Sequence, residues 1–246
     1  MRIGVPSIIF GAGAAGVGKT TVIKQVVRDL TDVFLLEKDV SLESYLHTNP
    51  FLLRKPDGTL DADTRYSFSS PEYARHFRDQ VYASMFQTGI ENTKLGKSTV
   101  LDANYVGWLK DPNGRISLAR RVANLYAEQQ FSSFRMPILF FYVTDPEVVR
   151  ERIIKRMEHN PAAKDRDWNK VATKEAWQKQ IEKEPVTWFS DLDQYNDLLG
   201  IDLTEEYHDQ RTKVKKKIVD FLAQQKTLAD GIFKNEPLSV TLERYK

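Results

Sequence analysis

A glycine-rich segment near the amino terminus constrains the fold more than any other feature of the sequence. Residues 13–20 read Gly-Ala-Ala-Gly-Val-Gly-Lys-Thr, which fits the pattern G-x-x-x-x-G-K-[S/T] at every position. Glycines let the backbone fold into a tight concave loop whose N–H groups point inward at anionic oxygens. The segment lies between a short apolar run and a helical pattern that begins at Lys19. It therefore predicts a phosphate-binding loop at a strand-to-helix turn.

The polar residues that close this loop predict its ligands. The Lys19 ammonium is expected to reach the β- and γ-phosphates of a nucleotide, and the Thr20 hydroxyl is expected to coordinate Mg²⁺. The sequence thus predicts ATP and Mg²⁺ as cofactors, without deciding between ATP and GTP. The residues predicted to bind the nucleotide are Gly13, Ala14, Ala15, Gly16, Val17, Gly18, Lys19, Thr20 and Thr21.

A second glycine pattern overlaps the first. Residues 11–16 spell G-x-G-x-x-G, and the acidic Glu37 and Asp39 follow about twenty residues later, as in a dinucleotide-binding fold. This interpretation leaves the Gly-Lys-Thr sequence of residues 18–20 unexplained. We therefore favour the phosphate-binding loop.

Short apolar runs alternate with helical patterns along the chain. Continuous apolar runs are typical of parallel strands buried on both faces, and strand–helix alternation indicates an open parallel sheet. We predict an α/β fold with a five-stranded, mostly parallel sheet sandwiched by helices. The predicted strands are 7–10, 33–36, 99–101, 138–143 and 198–203, and the predicted helices are 19–30, 71–94, 115–130, 146–157, 173–184 and 211–225.

Two segments are longer than plain crossover connections need to be. Residues 40–97 are predicted to form an acceptor region, and residues 157–195 a lid. Both are expected over the carboxyl ends of the strands, where open α/β sheets bind ligands. We predict one domain over residues 1–225 and a C-terminal tail over residues 226–246.

An acidic residue follows the second predicted strand. Asp39 comes twenty residues after Lys19, and a carboxylate there is expected beside the γ-phosphate, where it can accept a proton from an attacking hydroxyl. Glu37 is a substitute for this role. The alternative is a solvated turn, or a cap for a helix that begins at Ser41.

Asp102 closes the third predicted strand. A short apolar strand that ends in aspartate is the arrangement that holds Mg²⁺ in many proteins with a phosphate-binding loop. Taken alone, the pattern is common and mostly structural, but with the glycine loop upstream it predicts a metal ligand. Asn104 is expected in the same crevice.

Three arginines are candidates for the predicted lid. Arg152 and Arg156 are four residues apart and share a helix face, and Arg166 lies in the following loop. The fixed fork of a guanidinium suits the charge that spreads over a transferring phosphoryl group. The alternative is a solvated helix face on which Glu151 and Glu158 pair locally.

Taken together, these features resemble the small P-loop kinases of the polynucleotide kinase and zeta-toxin group, which are AAA-type ATP-binding kinases. The resemblance covers about residues 5–225 and rests on the glycine loop, Asp39, residues 96–104 and 141–146, and the arginines that follow. It implies that Asp39 is the general base and that Arg156 and Arg166 belong to the lid. Polynucleotide kinases often carry an arginine three residues after the base, and here that position is Leu42.

The function predicted from these residues is transfer of the γ-phosphoryl group of ATP to a hydroxyl. Candidate acceptors are a nucleoside, a nucleotide, a nucleic acid at its 5′ end or at a modified base, or another small alcohol. The alternative is an NTPase that acts as a nucleotide-dependent switch or hydrolase. The sequence lacks the Asn/Thr-Lys-x-Asp motif with which GTPase switches read their base.

Composition narrows the partners and the location. The chain has no cysteine, which excludes disulfides and thiolate chemistry, and its net charge is only +2. No run of 18 apolar residues occurs, so we expect no membrane partner. The short apolar run at the amino terminus leads straight into the glycine loop, which is expected of a first strand and not of a signal peptide. A cytoplasmic location is expected, and the oligomeric state is left open.

Overall fold

The computed structural model describes residues 3, 5–41, 78–110, 135–159, 167–189, 192, 197–205 and 207–224. Five strands form one sheet in the order β2-β3-β1-β4-β5, and all four pairings are parallel. The predicted α/β fold is confirmed, and the sheet is parallel throughout. The strands are β1 (Ile8–Ala12), β2 (Val33–Glu37), β3 (Ser98–Asp102), β4 (Ile138–Tyr142) and β5 (Leu198–Asp202).

Six helices accompany the sheet in the described residues, besides the short helical segments 38–41 and 167–171. The predicted helices at 19–30, 146–157, 173–184 and 211–225 are confirmed with small shifts of their ends. The helix predicted at 115–130 and the first part of the helix predicted at 71–94 lie outside the described residues. The helices are α1 (Lys19–Arg28), α2 (Arg78–Lys94), α3 (Val106–Leu109), α4 (Pro146–His159), α5 (Lys174–Lys183) and α6 (Tyr207–Gln224).

Burial follows the position of each strand in the sheet. Every residue of β1 and β3 is buried, and so is β4 apart from its last residue. The two edge strands, β2 and β5, are only partly buried. The helix α1 packs on β1, β2 and β3 and against α6, while α2 packs on β3 and β1. Helices cover the central strands, which explains why these strands are apolar. Burial of apolar surface stabilises the fold by roughly 25 cal/mol per Å².

Strand register brings the carboxyl ends of the first three strands to one edge. Gly11 of β1 and Glu37 of β2 are both in register with Asp102 of β3. Parallel pairing therefore places the segments that follow these strands side by side, as expected for a ligand-binding crevice.

No described helix is long and apolar enough to cross a membrane.

A buried carboxylate lies at the other end of the strands, directly before the first residue of β5. Asp197 is 4% exposed, and neither of its carboxylate oxygens has a hydrogen-bond partner among the described residues. Burial disfavours the charged form and raises the pKa of Asp197 from 3.8 to about 7. Protonation of Asp197 therefore stabilises the fold fully below pH 3.8, and this contribution is lost as the pH rises through about 7.

Replacing Asp197 with asparagine is expected to remove this pH dependence. Proton linkage predicts that wild-type protein loses about 2–3 kcal/mol more unfolding free energy between pH 5 and pH 8 than Asp197→Asn does. Urea unfolding of both proteins at the two pH values measures the difference. Identical pH profiles would show that Asp197 is ionised and satisfied in the native state.

Candidate active site

The predicted phosphate-binding loop connects β1 to α1, and its glycines adopt backbone conformations that other residues rarely adopt. Gly16 has φ 89° and Gly18 has φ 99°. Gly18 is also the N-cap residue of α1, so the backbone turns directly from the loop into the helix. A Cβ atom on Gly16 would lie 2.6 Å from Ile153 Cγ1 of α4. Both the backbone angle and the close approach of α4 therefore require glycine at this position.

Gly16→Ala is expected to destabilise the protein more than Gly96→Ala. Gly96 also has a positive φ, of 73°, but a Cβ atom there would meet nothing within 4 Å. Both substitutions incur about 1–2 kcal/mol of backbone strain, and only Gly16→Ala adds a clash, with a further cost of roughly 1–3 kcal/mol. Urea unfolding measures the two losses. Equal losses would contradict the close packing of α4 on the loop.

Three side chains from the loop and β3 converge beside it. The Lys19 ammonium forms an ion pair with Oδ1 of Asp102, and the Thr20 hydroxyl donates a hydrogen bond to Oδ2 at 2.6 Å. The Asp102 side chain is only 3% exposed, so these two partners satisfy a carboxylate that would otherwise be costly to bury. The two side chains predicted to hold Mg²⁺, 82 residues apart in sequence, are thus in direct contact.

The donor atoms of this cluster fit a magnesium ion. A hydroxyl and a carboxylate are hard oxygen ligands, and Mg²⁺ in nucleotide sites is usually held by one or two protein groups, substrate phosphates and water. The described residues contain no group of three or more His, Cys, Asp or Glu side chains able to hold a metal by themselves. Thr20 and Asp102 are only two ligands, so they suit a metal ion whose other ligands come from the phosphates of a nucleotide and from water.

The end of β2 forms another wall of the site. The Asp39 carboxylate is 58% exposed and lies 3.3 Å from the Lys38 ammonium. The Glu37 carboxylate pairs with Lys24 at 2.8 Å and is 21% exposed. Residues 38–41 are helical, so the alternative in which Asp39 caps a helix that begins at Ser41 is wrong. Asp39 instead lies inside a helical turn and remains accessible.

The glycine loop and these strand ends line one cavity of about 640 Å³. Its size is in the range of small-molecule sites. Asn104 also lines it, and its side-chain oxygen accepts a hydrogen bond from the Val106 amide at 3.0 Å, which fixes the turn into α3. The remaining lining residues come from α4, the segment after it, α5 and the end of β5: Arg152, Arg156, Asp167, Lys170, Gln180, Lys183, Glu184 and Leu203.

Two of the three predicted lid arginines lie in this cavity, and they make different contacts. Arg152 donates to the Val17 carbonyl of the glycine loop at 3.2 Å, and to the carbonyls of Thr204 and Glu205 at 3.4 and 3.3 Å. It therefore ties the loop to the segment that follows β5. The structure thus gives Arg152 a backbone-anchoring position beside the predicted phosphate site.

Arg156 instead pairs with a carboxylate of the lid segment. Its Nη2 atom donates to Oδ2 of Asp167 at 2.5 Å. The partner is therefore Asp167 and not the nearby Glu151 or Glu158 of the same helix. Arg166 lies outside the described residues, so its lid role stays a prediction, as does that of Arg156. The predicted acceptor region at 40–97 is described only at its two ends.

A comparison with protein-family models identifies the family of the chain. The model of the AAA domain family matches residues 8–182, which include the glycine loop, Asp39, Asp102 and α4. The chain belongs to the AAA domain family. No curated protein matches the sequence of this AAA domain.

Solved structures share the fold of this AAA domain at low sequence identity. A Chloroflexus aurantiacus protein, provisionally assigned as a kinase, is 17% identical with a TM-score of 0.57, over 88% of this chain and 98% of that chain. A sugar kinase from Janibacter sp. HTCC2649 is 15% identical with a TM-score of 0.46, over 89% and 94% of the two chains. A gluconokinase from Sinorhizobium meliloti 1021 is 13% identical with a TM-score of 0.46, over 91% and 94%. The first of these shows that the AAA domain shares the fold of the Chloroflexus protein.

Sequence reasoning missed several residues that line the cavity of the AAA domain. Asp167, Lys170 and Lys183 fall within the predicted lid segment, but no motif singles them out among its many charged residues. Asp167 is nevertheless fully buried. The one pattern in the sequence that could have indicated this site is the three-residue spacing of Asp167 and Lys170. These residues form an ion pair at 2.9 Å. The same spacing is too common in helices to identify a functional residue.

Proposed function

We propose that this AAA domain is a kinase that transfers the γ-phosphoryl group of Mg²⁺-ATP to a hydroxyl of its acceptor. The observation that carries the proposal is the convergence of Lys19 and Thr20 on the buried Asp102 at the glycine loop. The same cavity also contains the accessible carboxylate of Asp39. A phosphate-binding cluster with an accessible acid beside it is what phosphoryl transfer to a hydroxyl needs.

The loop and its lysine would bind and orient the nucleotide. The backbone N–H groups of residues 13–21 and the amino end of α1 would receive the phosphate oxygens. The Lys19 ammonium would exchange part of its pairing with Asp102 for the β- and γ-phosphates. Thr20 and Asp102 would hold Mg²⁺, which supplies charge neutralisation on the β- and γ-oxygens.

The proton of the attacking hydroxyl needs an acceptor in the same cavity. As the acceptor oxygen forms a bond to the γ-phosphorus, the bond from that phosphorus to the bridging oxygen of ADP breaks, and the hydroxyl proton passes to the Asp39 carboxylate. Arg156 and Arg166 would stabilise the negative charge that spreads over the transferred group. Asp39 is the better candidate base than Glu37, because its carboxylate is 58% exposed, whereas the Glu37 carboxylate is 21% exposed and closely paired with Lys24 at 2.8 Å.

The acceptor belongs to the class of hydroxyl compounds. Nucleosides, nucleotides, nucleic acids and small alcohols all fit this class, and Leu42 stands where polynucleotide kinases often carry an arginine. The Chloroflexus protein that shares this fold is provisionally assigned as a kinase, which supports a kinase function. A chain without cysteine suits a reducing compartment, which supports a cytoplasmic location.

Hydrolysis of the nucleotide is the second candidate function. The Asp39 carboxylate is 58% exposed, so water can approach the place proposed for the acceptor. An enzyme that uses water in this way would act as a nucleotide-dependent switch or hydrolase, without a phosphorylated product.

A transfer screen separates the two functions. The protein is incubated with Mg²⁺ and ATP labelled at the γ-phosphate, together with nucleosides, nucleotides, sugars, polyols, or DNA and RNA with varied ends. A kinase transfers the label to one acceptor class, and Lys19→Ala abolishes that transfer. Label that appears only as inorganic phosphate, at a rate that no acceptor changes, would overturn the kinase proposal.

A further inference from the structure

We propose that Asp167 is a positioning residue that fixes Arg156 and Lys170 toward the terminal phosphate of the nucleotide. This inference rests on the proposed function of the same site. Asp167 is 0% exposed, and a buried carboxylate is costly unless cations and hydrogen bonds satisfy it. Its two carboxylate oxygens are satisfied by the two cations that it would position.

The contacts of Asp167 connect two parts of the cavity wall. Oδ2 accepts from Arg156 Nη2 at 2.5 Å, and Oδ1 accepts from Lys170 Nζ at 2.9 Å. Arg156 belongs to α4, while Asp167 and Lys170 belong to the helical segment 167–171. A second contact ties the same two elements, because Arg150 donates to the Val171 carbonyl at 3.2 Å. All three charged groups line the cavity of the glycine loop.

The position of α4 sets where these cations lie relative to the phosphates. Val149 and Ile153 of α4 lie against Gly16, and Arg152 holds the Val17 carbonyl. Arg156 is one helical turn beyond Arg152, a rise of about 6 Å. If the loop holds the inner phosphates, this turn of α4 carries Arg156 toward the outer end of the phosphate chain.

The geometry of the guanidinium favours positioning over simple neutralisation. Arginine has five N–H donors in a rigid fork, and the contact with Asp167 uses Nη2. The Nε atom of Arg156 is buried without a hydrogen-bond partner among the described residues. The side chain as a whole is 36% exposed. Asp167 thus orients the fork from its buried side and leaves the other terminal nitrogen for an anionic oxygen.

Nucleotide binding by the Asp167→Asn variant tests this inference without any acceptor. Calorimetry compares the affinity for Mg²⁺-ATPγS, which carries the third phosphate, with that for Mg²⁺-ADP, which lacks it. Misplacing groups by about 1 Å can weaken their action by roughly 100-fold, so we expect a loss of at least about 10-fold in ATPγS affinity. The affinity for ADP should change little. A general loss of structure would instead lower the affinity for both nucleotides by the same factor.

Matched variants make the result specific. Asp197→Asn removes another buried carboxylate, 4% exposed and far from the cavity at the amino end of β5, and it should bind both nucleotides as wild type does. In an Arg156→Met background, Asp167→Asn should cause a smaller further loss of ATPγS affinity, because one of the two cations that it positions is already gone. Asp167→Glu keeps the charge and alters only the reach, so it repeats the test if Asp167→Asn does not fold.

Three results would overturn the role of Asp167. They are equal weakening of ADP and ATPγS, tighter ATPγS binding after removal of the charge, and fully independent effects of the Asp167 and Arg156 substitutions. Tighter binding would identify Asp167 as a counter-ion that competes with the nucleotide. Failure of the wild-type protein to bind either nucleotide would instead overturn the proposed function itself.

Discussion

Lys19→Ala is expected to lower phosphoryl transfer by roughly 10²–10³-fold, the contribution of one preorganised charge at a reacting centre. The physical reason is that Lys19 supplies a positive charge within the glycine loop itself. It contacts the buried Asp102 in the structure, and it would meet the β- and γ-phosphates once the nucleotide binds. Turnover and melting temperature are measured on the same preparation.

The structure also predicts a stability cost for this substitution. The Asp102 side chain is 3% exposed, and loss of its cation leaves the Thr20 hydroxyl as its hydrogen-bond partner. Breaking a buried pair on one side can cost about 3–5 kcal/mol, so the assay temperature must lie well below the melting point of the variant. Turnover above a third of the wild-type value in the folded variant would contradict the proposed role of Lys19.

Lys97→Ala is the matched control. Lys97 precedes β3 and pairs with Asp32, just as Lys19 pairs with the residue at the other end of the same strand. The control removes a lysine–aspartate pair from the edge of the sheet that does not line the cavity. It should therefore keep wild-type turnover, and a loss equal to that of Lys19→Ala would mean that transfer responds to sheet stability alone.

The Asp39→Asn variant is expected to bind ATP as wild type does and to lose about 10²–10⁴-fold in phosphoryl transfer, the usual contribution of a positioned general base. Asparagine keeps the shape of the side chain but cannot take up the hydroxyl proton. The carboxylate is 58% exposed, so the substitution should not alter folding. Calorimetry with ATP and transfer of the γ-phosphate label are measured side by side.

Glu37→Gln separates the two acids at the end of β2. Glu37 is paired with Lys24 at 2.8 Å, so its removal is expected to alter transfer much less than removal of Asp39. A large loss in Glu37→Gln with normal transfer in Asp39→Asn would exchange the two roles. Equal loss of ATP binding and transfer in Asp39→Asn would indicate that Asp39 organises the magnesium ion.

The sheet could be predicted because its signals are local. Each strand is an apolar run that ends at glycine or a polar residue, and the glycine loop fixes where β1 ends and α1 begins. The four-residue helix α3 was not predicted, because a single turn held by the Asn104 side chain has no periodicity to detect. The order of the strands was also beyond the sequence analysis, because pairing between distant runs depends on packing.

The site could be predicted in part, for a similar reason. Thr20 and Asp102 each belong to a recognisable motif, and parallel register then brings them together. Arg152 and Asp167 have no such motif. Arg152 binds carbonyls, which every residue has, and those carbonyls come from residues 17, 204 and 205. Asp167 becomes distinctive only when the lid segment folds back on α4 and buries it.

The ratio of phosphate ester formed to ADP formed distinguishes phosphoryl transfer to a hydroxyl from hydrolysis of the nucleotide. Phosphorus NMR can follow ATP, ADP, inorganic phosphate and new phosphate esters in one sample that contains the acceptor found in the transfer screen. We expect one ester for each ADP, with no ester in the Lys19→Ala sample. ADP formation matched by inorganic phosphate alone, at the same rate with and without the acceptor, would contradict this expectation.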